Sequence, residues 1–148
     1  MSIIIYTDGG ARGNPGPAGA GASIQKDGVE IASVSKFLGR QTNNWAEYEA
    51  LILALEEARQ RVGAPVTEPV TIRMDSELIV KQMKGEYRVK DPELKKQYVR
   101  VQSLLTDHFS SVHFEHVRRA HNSRADALAN NAMDNPHEVR PGKNTKNV

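Results

Sequence analysis

Short runs of β-branched, aliphatic and aromatic residues alternate with longer stretches rich in alanine, leucine and glutamate along this chain. The short runs are bounded by glycine, proline or polar residues, which is typical of strands. Strands are predicted over residues 3–7, 20–25, 29–37, 70–74 and 112–117. The longer stretches favour helices. Helices are predicted from a cap at residues 42–44 to residue 62, over 76–84, over 93–107, and from an Asn122 cap to residue 134.

The order of these elements predicts a mixed sheet and an α/β fold. Asp27-Gly28 is a strong two-residue hairpin signal, so the first three strands are expected to form an antiparallel meander. A helix precedes the fourth strand, which favours a parallel crossover beside a neighbouring strand. We expect one domain over residues 1–134 and a disordered tail over residues 135–148, where apolar residues are almost absent.

Composition and charge narrow the classes of protein that fit. The 148 residues suffice for one domain with its own core, and the absence of cysteine excludes disulfides, thiol nucleophiles and zinc–thiolate sites. The apolar N-terminal run ends at Asp8, which is too short for a signal peptide or a membrane span. The net charge of +2 does not by itself indicate a polyanionic partner. We expect a monomeric, cytoplasmic protein without a membrane partner.

Asp8 closes the first predicted strand and opens a glycine-rich stretch, in which six of the residues 9–21 are glycine. The carboxylate is expected at the strand's C-terminal end, where ligands collect in sheets with parallel strands. The glycines would let another backbone, such as a phosphodiester chain, approach closely. Because Asp-Gly is also a common turn signal, an ordinary hairpin turn is the alternative interpretation.

Glu47 interrupts the apolar face of the first predicted helix. The residues at positions 50, 51, 54, 55 and 58 are all alanine or leucine and follow Glu47 with helical spacing. An unpaired carboxylate is costly to bury, so it normally takes up a proton, a cation or a metal. The alternative is a glutamate near the helix start whose carboxylate extends to solvent, where the helix dipole favours it.

Asp75 and Asp126 complete a set of four acids in four separate elements. Taken alone, Asp75 could cap the following helix and Asp126 could gain from a helix dipole. One sheet edge could nevertheless gather both with Asp8 and Glu47. Two like charges about 4 Å apart repel by roughly 4 kcal/mol, so such a cluster needs cations. Oxygen ligands without cysteine favour Mg²⁺, with Mn²⁺ as a substitute, and suit in-line displacement at phosphorus.

Four motifs make the sequence similar to the type 1 ribonuclease H family. In chain order they are TDGGARGNPGPAGAG, TNNWAEYEAL, MDSELIVKQMKG and VRRAHNSRADALANNAMD, and together they extend to about residue 134. The resemblance implies a five-stranded mixed sheet in the order 3-2-1-4-5 flanked by helices. It also implies cleavage of the RNA strand of RNA/DNA hybrids, which leaves 5′-phosphate and 3′-hydroxyl ends. Asp8, Glu47, Asp75 and Asp126 would bind two metal ions once substrate is present.

The resemblance also carries expectations about substrate contacts. Asn14 and Asn44, with the backbone at Gly9 and Gly10, resemble positions that contact the sugar-phosphate backbone. Thr42 resembles part of a pocket for a DNA phosphate. Discrimination of RNA from DNA requires groups that sense a 2′-hydroxyl, which donates and accepts hydrogen bonds. Turn and cap chemistry is the alternative role of the two asparagines.

Two features depart from the family pattern. A long basic, Trp-containing protrusion is replaced by GEYRVKDPELKKQ, although residues 81–100, here called the basic segment, hold seven basic and three acidic residues. Arg88 and Lys90 are candidate substrate contacts there, and a solvated surface is the alternative. His121 precedes Asp126 by only five residues. It is a candidate for proton transfer or product release, or else an ordinary residue before the helix cap.

Two other functions remain compatible with the sequence. A related nuclease of the same superfamily would also cut double-stranded RNA. A non-catalytic module would bind RNA/DNA hybrids without hydrolysing them, although four acids facing phosphates would oppose such binding.

Overall fold

A computed structural model describes residues 2–136 of the chain. Five strands and four α-helices follow one another with short connections, and a 3-10 turn at Arg119–His121 precedes the last helix. The strands are β1 (Ile3–Ala11), β2 (Gly16–Lys26), β3 (Val29–Gln41), β4 (Val70–Met74) and β5 (Val112–His116). The helices are α1 (Asn43–Val62), α2 (Glu77–Met83), α3 (Pro92–His108) and α4 (Ser123–Asp134).

The strands form one mixed sheet in the order β3-β2-β1-β4-β5, as the family resemblance implies. The pairs β1–β2 and β2–β3 are antiparallel, whereas β1–β4 and β4–β5 are parallel. The predicted turn between β2 and β3 is confirmed, since Asp27 and Gly28 have φ angles of 51° and 82°, as a two-residue hairpin of this type requires. β1 therefore lies at the centre of the sheet, with the antiparallel strand β2 on one side and the parallel strand β4 on the other.

The glycine-rich stretch is mostly strand, so the prediction that the first strand ends before Asp8 and the second begins at residue 20 is wrong. β1 continues three residues beyond Asp8, and β2 begins at Gly16, so only residues 12–15 connect them. Asp8 pairs with Gly21 in the antiparallel ladder. It therefore lies within a strand rather than at its end, and the alternative of an Asp8-Gly9 hairpin turn is excluded as well.

Helices cover both faces of the sheet. A Cβ added at Gly9 would lie 2.2 Å from the carbonyl oxygen of Ala46 in α1, and one at Gly21 would lie 2.2 Å from that of Ala125 in α4. Gly21 is paired with Asp8, and successive strand residues face opposite sides of a sheet. Hence α1 and α4 pack on opposite faces, and α3 packs against α1.

The main core lies between the sheet and α1. Its largest fully buried side chains include Ile5, Ile24, Tyr48, Leu51 and Ile72. The apolar positions predicted along α1 are all buried, at Ala50, Leu51, Ala54, Leu55 and Ala58.

The ends of the helices follow local sequence signals. α1 begins at the predicted cap, where Thr42 Oγ1 accepts a hydrogen bond from Trp45 N, and it ends at Gly63 with φ 102°. α4 ends at Asp134, at the predicted limit of the domain. Of the predicted disordered tail, residues 137–148 lie outside the described residues. Within residues 2–136, the helices include none with the length and apolarity that a membrane crossing requires.

Candidate active site

The four predicted acids line one cavity, although they belong to four different parts of the fold. Asp8 lies in β1, Glu47 in the second turn of α1, Asp75 directly after β4, and Asp126 in the first turn of α4. The cavity that they share has a volume of about 560 Å³ and is called the acidic cavity below.

Asp8 and Asp75 meet because the parallel register of β1 and β4 places them at the same level of the sheet. The last parallel pair joins Thr7 to Met74, so each strand's next residue is an acid at the same level of the sheet. Beyond this level β1 pairs only with β2, and the space beside it is open for side chains from the helices. The two acids therefore follow the end of the parallel pairing, although β1 itself continues beyond Asp8.

Close packing of the helices against glycine brings in the other two acids. The carbonyl oxygens of Ala46 and Ala125 occupy the places where Gly9 and Gly21 would carry a Cβ. In each helix the residue after this contact is one of the acids, Glu47 or Asp126. The glycines therefore admit the structural elements of the protein itself, and not only a ligand as the sequence suggests.

Three of the carboxylates are close enough to share a cation. One oxygen from each of Asp8, Glu47 and Asp75 lies within 4.8 Å of the other two. Asp126 is outside this set, but it lies close enough to Asp8 to raise the pKa of that carboxyl. Like charges at such distances repel by several kcal/mol at an effective dielectric of about 20.

Burial and mutual repulsion make these carboxylates hard to ionise. Burial, followed by the charges of Asp75 and Asp126, raises the pKa of Asp8 to about 8. The pKa of Glu47 is raised well above its ordinary value, first by burial and then by Asp8 and Asp75. Burial also raises the pKa of Asp75, against a hydrogen bond from Asn122 and the charge of Arg119. A bound cation would reverse this penalty, because it favours the ionised forms.

The geometry argues against the alternative roles of Glu47 and Asp75. Glu47 Oε1 is buried and, among the described residues, has no hydrogen-bond partner, so this carboxylate is not simply extended into solvent. Ser76, not Asp75, caps α2, since its Oγ accepts a hydrogen bond from Ile79 N at 3.4 Å. Asp75 is therefore not needed as a helix cap.

Arg119, rather than His121, is the basic residue of the loop that reaches the acidic cavity. Its NH2 lies 3.6 Å from Asp126 Oδ1, and its side chain remains 80% exposed. His121 ends the same 3-10 turn but is exposed and is not part of the described lining of the cavity. Arg124, in the first turn of α4, instead binds both carboxylate oxygens of Glu30.

The predicted contacts Asn14, Thr42 and Asn44 line a second cavity, also of about 560 Å³, together with Arg40 and Trp45. We call it the polar cavity. Asn14 Oδ1 accepts a hydrogen bond from the backbone N of the first residue of α1, so the predicted structural role of Asn14 is present. Two acids at the start of α3 also line this cavity, and each already has a partner in that helix.

The predicted contacts Arg88 and Lys90 lie apart from both of these cavities. Arg88 lines a third cavity, of about 630 Å³, with Tyr87 and Lys95, and Lys90 is exposed. Lys81 Nζ lies 5.0 Å from the centre of the Tyr87 ring, within cation–π range. Contact of this basic segment with nucleic acid stays a prediction.

The sequence did not predict the positions or contacts that three residues have in the site. Arg40 is an isolated cation near a strand end, and nothing local distinguishes it. Arg119 differs from its basic neighbours only through the 3-10 turn. Asn122 was predicted as a helix cap, and it lies at the cap position without making a capping hydrogen bond through its side chain.

A mixed sheet with this strand order and an acidic cluster beside its central strand is the architecture of ribonuclease H-like proteins. Residues 6–132 match the model of a family described as reverse transcriptase-like. The crystal structure of LC11-RNase H1 in complex with RNA/DNA hybrid has a TM-score of 0.87 and 46% identity, covering 92% of this chain and 99% of that one.

Curated relatives agree with the structural comparison. Ribonuclease HI of Halobacterium salinarum is 46% identical over 133 residues, covering 89% of this chain and 64% of that protein. A bifunctional protein of Mycobacterium tuberculosis is 46% identical over 136 residues, covering 90% of this chain and 36% of that protein. The chain thus spans about a third to two thirds of the length of these relatives. It belongs to the type 1 ribonuclease H family.

Proposed function

We propose that this protein is an endoribonuclease that hydrolyses the RNA strand of RNA/DNA hybrids and leaves 5′-phosphate and 3′-hydroxyl ends. The observation that carries the proposal is the convergence of Asp8, Glu47 and Asp75 within 4.8 Å, with Asp126 lining the same cavity. The relative LC11-RNase H1 has been crystallised with such a hybrid. Because all four acids belong to one chain, we propose that residues 1–134 act as a monomeric unit.

The acidic cavity has the chemistry expected of a divalent-metal site. Its clustered ligands are carboxylate oxygens, one of them the buried and, within residues 2–136, unpartnered Oε1 of Glu47. Hard oxygen ligands suit Mg²⁺, with Mn²⁺ as a substitute, and the cysteine-free sequence offers no soft ligand. Asp8, Glu47, Asp75 and Asp126 would hold two ions when substrate is bound. Bound ions would activate water and stabilise the leaving oxygen.

The surrounding residues of the chain orient and balance these acids. The sheet and both helices fix the acids in position before substrate arrives, which limits reorganisation during the reaction. Arg119 lies over the outer side of the cluster, where its positive charge offsets part of the repulsion. Its exposed position also suits contact with a substrate phosphate.

The polar cavity and the nearby glycines are suited to substrate binding. A Cβ at Gly10 would meet only Asn43 Oδ1, at 3.8 Å, so the packing of the described residues does not require glycine there. A closely approaching sugar-phosphate backbone would require it. Arg40 and the hydroxyl of Thr42 provide donors for a phosphate, while carboxylate and backbone oxygens can accept from a 2′-hydroxyl. We also propose a cytoplasmic location, which the absence of cysteine suits.

Cleavage of three labelled duplexes tests the function directly. RNA/DNA hybrid, double-stranded RNA and double-stranded DNA are incubated with the protein, each with and without Mg²⁺. We expect cleavage of the hybrid only, in the RNA strand and only with Mg²⁺. Equal cutting of double-stranded RNA would indicate the broader nuclease, and hybrid binding without any cutting would indicate the non-catalytic module.

The variant Asp75→Asn links the activity to the acidic cavity. It removes one charge without changing side-chain size, so we expect loss of cleavage with folding and hybrid binding retained. The matched control is Asp107→Asn, because that acid lies near the end of α3, away from the cavity. Full activity of Asp75→Asn would refute the assignment of the site.

A further inference from the structure

Asn122 occupies the position before α4, but its side chain does not serve that helix. It makes no capping hydrogen bond, although asparagine is among the preferred capping residues. Only 1% of its surface is exposed, which is unusual for a residue of this type. Its role must therefore lie in the contacts that it makes inside the protein.

These contacts reach the elements that carry three of the four acids. Asn122 Nδ2 donates to the carbonyl oxygen of Thr7 at 2.9 Å, directly before Asp8 in β1. The Asn122 amide also lies close enough to Asp75 to lower the pKa of that carboxyl, against the effect of burial. Its backbone oxygen accepts from Asp126 N at 3.0 Å in the first turn of α4. One buried residue thus joins β1, the end of β4 and the start of α4.

The stability of the fold alone does not account for an asparagine here. Its Oδ1 is buried and has no hydrogen-bond partner among the described residues, which is unfavourable for folding. The amide is also uncharged, so it can hold a carboxylate without replacing a metal as its counter-ion. A lysine or arginine in this place would neutralise the acids directly and compete with a cation.

We propose that Asn122 is a positioning residue that holds Asp8, Asp75 and Asp126 in the arrangement that binds divalent metal. The proposal rests on the metal-dependent function proposed above. Asn122 is not part of the described lining of the acidic cavity. Its side chain acts through the Thr7 carbonyl and the Asp75 carboxylate, at the place where its backbone leads into the first turn of α4.

The variant Asn122→Ala tests this role through metal binding. Mn²⁺ affinity is measured by isothermal titration calorimetry without substrate, and kcat and KM are measured on hybrid over a range of Mg²⁺ concentrations. Loss of a residue that orients metal ligands typically weakens metal binding about 10–100-fold. We expect a loss of that size, a lower kcat that is partly restored by more Mg²⁺, and a KM within about twofold of wild type.

Ser35→Ala is the matched control. Ser35 Oγ donates to the carbonyl oxygen of Leu128 at 2.7 Å and so ties α4 to β3, away from the acids. We expect Mn²⁺ affinity close to wild type in this variant. An equal loss in both variants would attribute the effect to docking of α4 and would overturn the proposal, as would wild-type Mn²⁺ affinity in folded Asn122→Ala.

Two further comparisons keep the outcomes distinct. If circular dichroism shows that Asn122→Ala does not fold, Asn122→Ser, which retains a small donor, replaces it, and wild-type Mn²⁺ affinity in that variant would overturn the proposal. A wild-type protein that binds Mn²⁺ but leaves hybrid intact would refute the proposed function. Wild-type hydrolysis together with unchanged metal binding in the Asn122 variants would refute only the positioning role.

Discussion

The acidic and polar cavities have nearly the same volume but are built in opposite ways. Buried and partly buried carboxylates from four parts of the fold line the acidic cavity, and burial and repulsion raise the pKa of three of them. The polar cavity is lined by exposed residues near the β1–β2 connection and the start of α1. The first arrangement is unfavourable until a cation arrives, whereas the exposed groups of the second can be hydrated by solvent. Chemistry is thus expected to depend on the acidic cavity, and substrate affinity on the polar one.

The largest effect is expected from Glu47→Gln, which removes a charge from the acidic cavity and keeps the shape of the side chain. Loss of one such electrostatic group costs about 100-fold or more in kcat. Thermal stability without metal should rise, because the repulsion of Asp8 and Asp75 is relieved. Calorimetry and hybrid cleavage measure the two effects. Glu57→Gln in the same helix is the control, and a similar loss of kcat there would contradict the comparison.

The next largest effect is expected from alanine substitutions of the adjacent glycines Gly9 and Gly10, which should differ in their effects on stability and on KM. In Gly9→Ala the new Cβ would collide with the Ala46 carbonyl, and overpacking of this kind costs about 1–3 kcal/mol of the free energy of unfolding. In Gly10→Ala the free energy should change by less than about 0.5 kcal/mol, while KM for the hybrid rises. Denaturant unfolding and steady-state kinetics measure the pair. Equal destabilisation of both variants would contradict the packing described for Gly9.

A smaller effect on the free energy of unfolding is expected from a change of pH. The raised pKa of Asp8 determines its sign. In the unfolded chain an aspartate ionises near pH 4, whereas in the folded protein the pKa of Asp8 is about 8. Between these values the folded state holds a proton that the unfolded state has lost, so the free energy of unfolding falls as pH rises.

Thermal melting at pH 5 and pH 8 checks this sign. Without metal we expect a lower Tm at pH 8, and Mg²⁺ should raise Tm more at pH 8 than at pH 5. Asp8→Asn should weaken both trends. A metal-free Tm that increases over this range would show that the carboxylates are not clustered as described.

The smallest effect is expected in the polar cavity, from Arg40→Ala. Loss of one phosphate contact should raise KM several-fold with kcat unchanged, and should reduce the slope of log affinity against log salt by about one. Lys36→Ala is the control, because this exposed lysine lies on the same strand but outside the polar cavity. A fall in kcat for Arg40→Ala would remove the distinction between the two cavities.

Local signals were sufficient for most of the helices, strands and turns and for Glu47, whereas Asp75, Asp126 and the strand order depended on the family resemblance. Asp27-Gly28, Thr42 and Gly63 each direct the chain through their own backbone chemistry, and the turn and helix ends that they predict are present. Glu47 was recognised because an acid on an apolar helical face is unfavourable without a partner.

Features that depend on distant partners could not be predicted in the same way. Asp8 lies inside β1 because β2 pairs with the glycines beyond it, although those glycines look like a loop in isolation. Arg119, and not the predicted His121, lies beside the acids because the loop forms a 3-10 turn. Asn122 matches a cap signal, but its side chain turns towards Thr7, which is 115 residues away in the chain.

That hydrogen bond from Asn122 to Thr7 has a consequence for the order of folding. Contacts between residues so far apart in the chain form late, because a long loop must close first. A growing or truncated chain that lacks α4 would have β1 and three of the acids but could not complete the cavity. Recovery of metal binding during refolding should therefore follow the docking of α4, so that nuclease activity appears only after both ends of the domain have met.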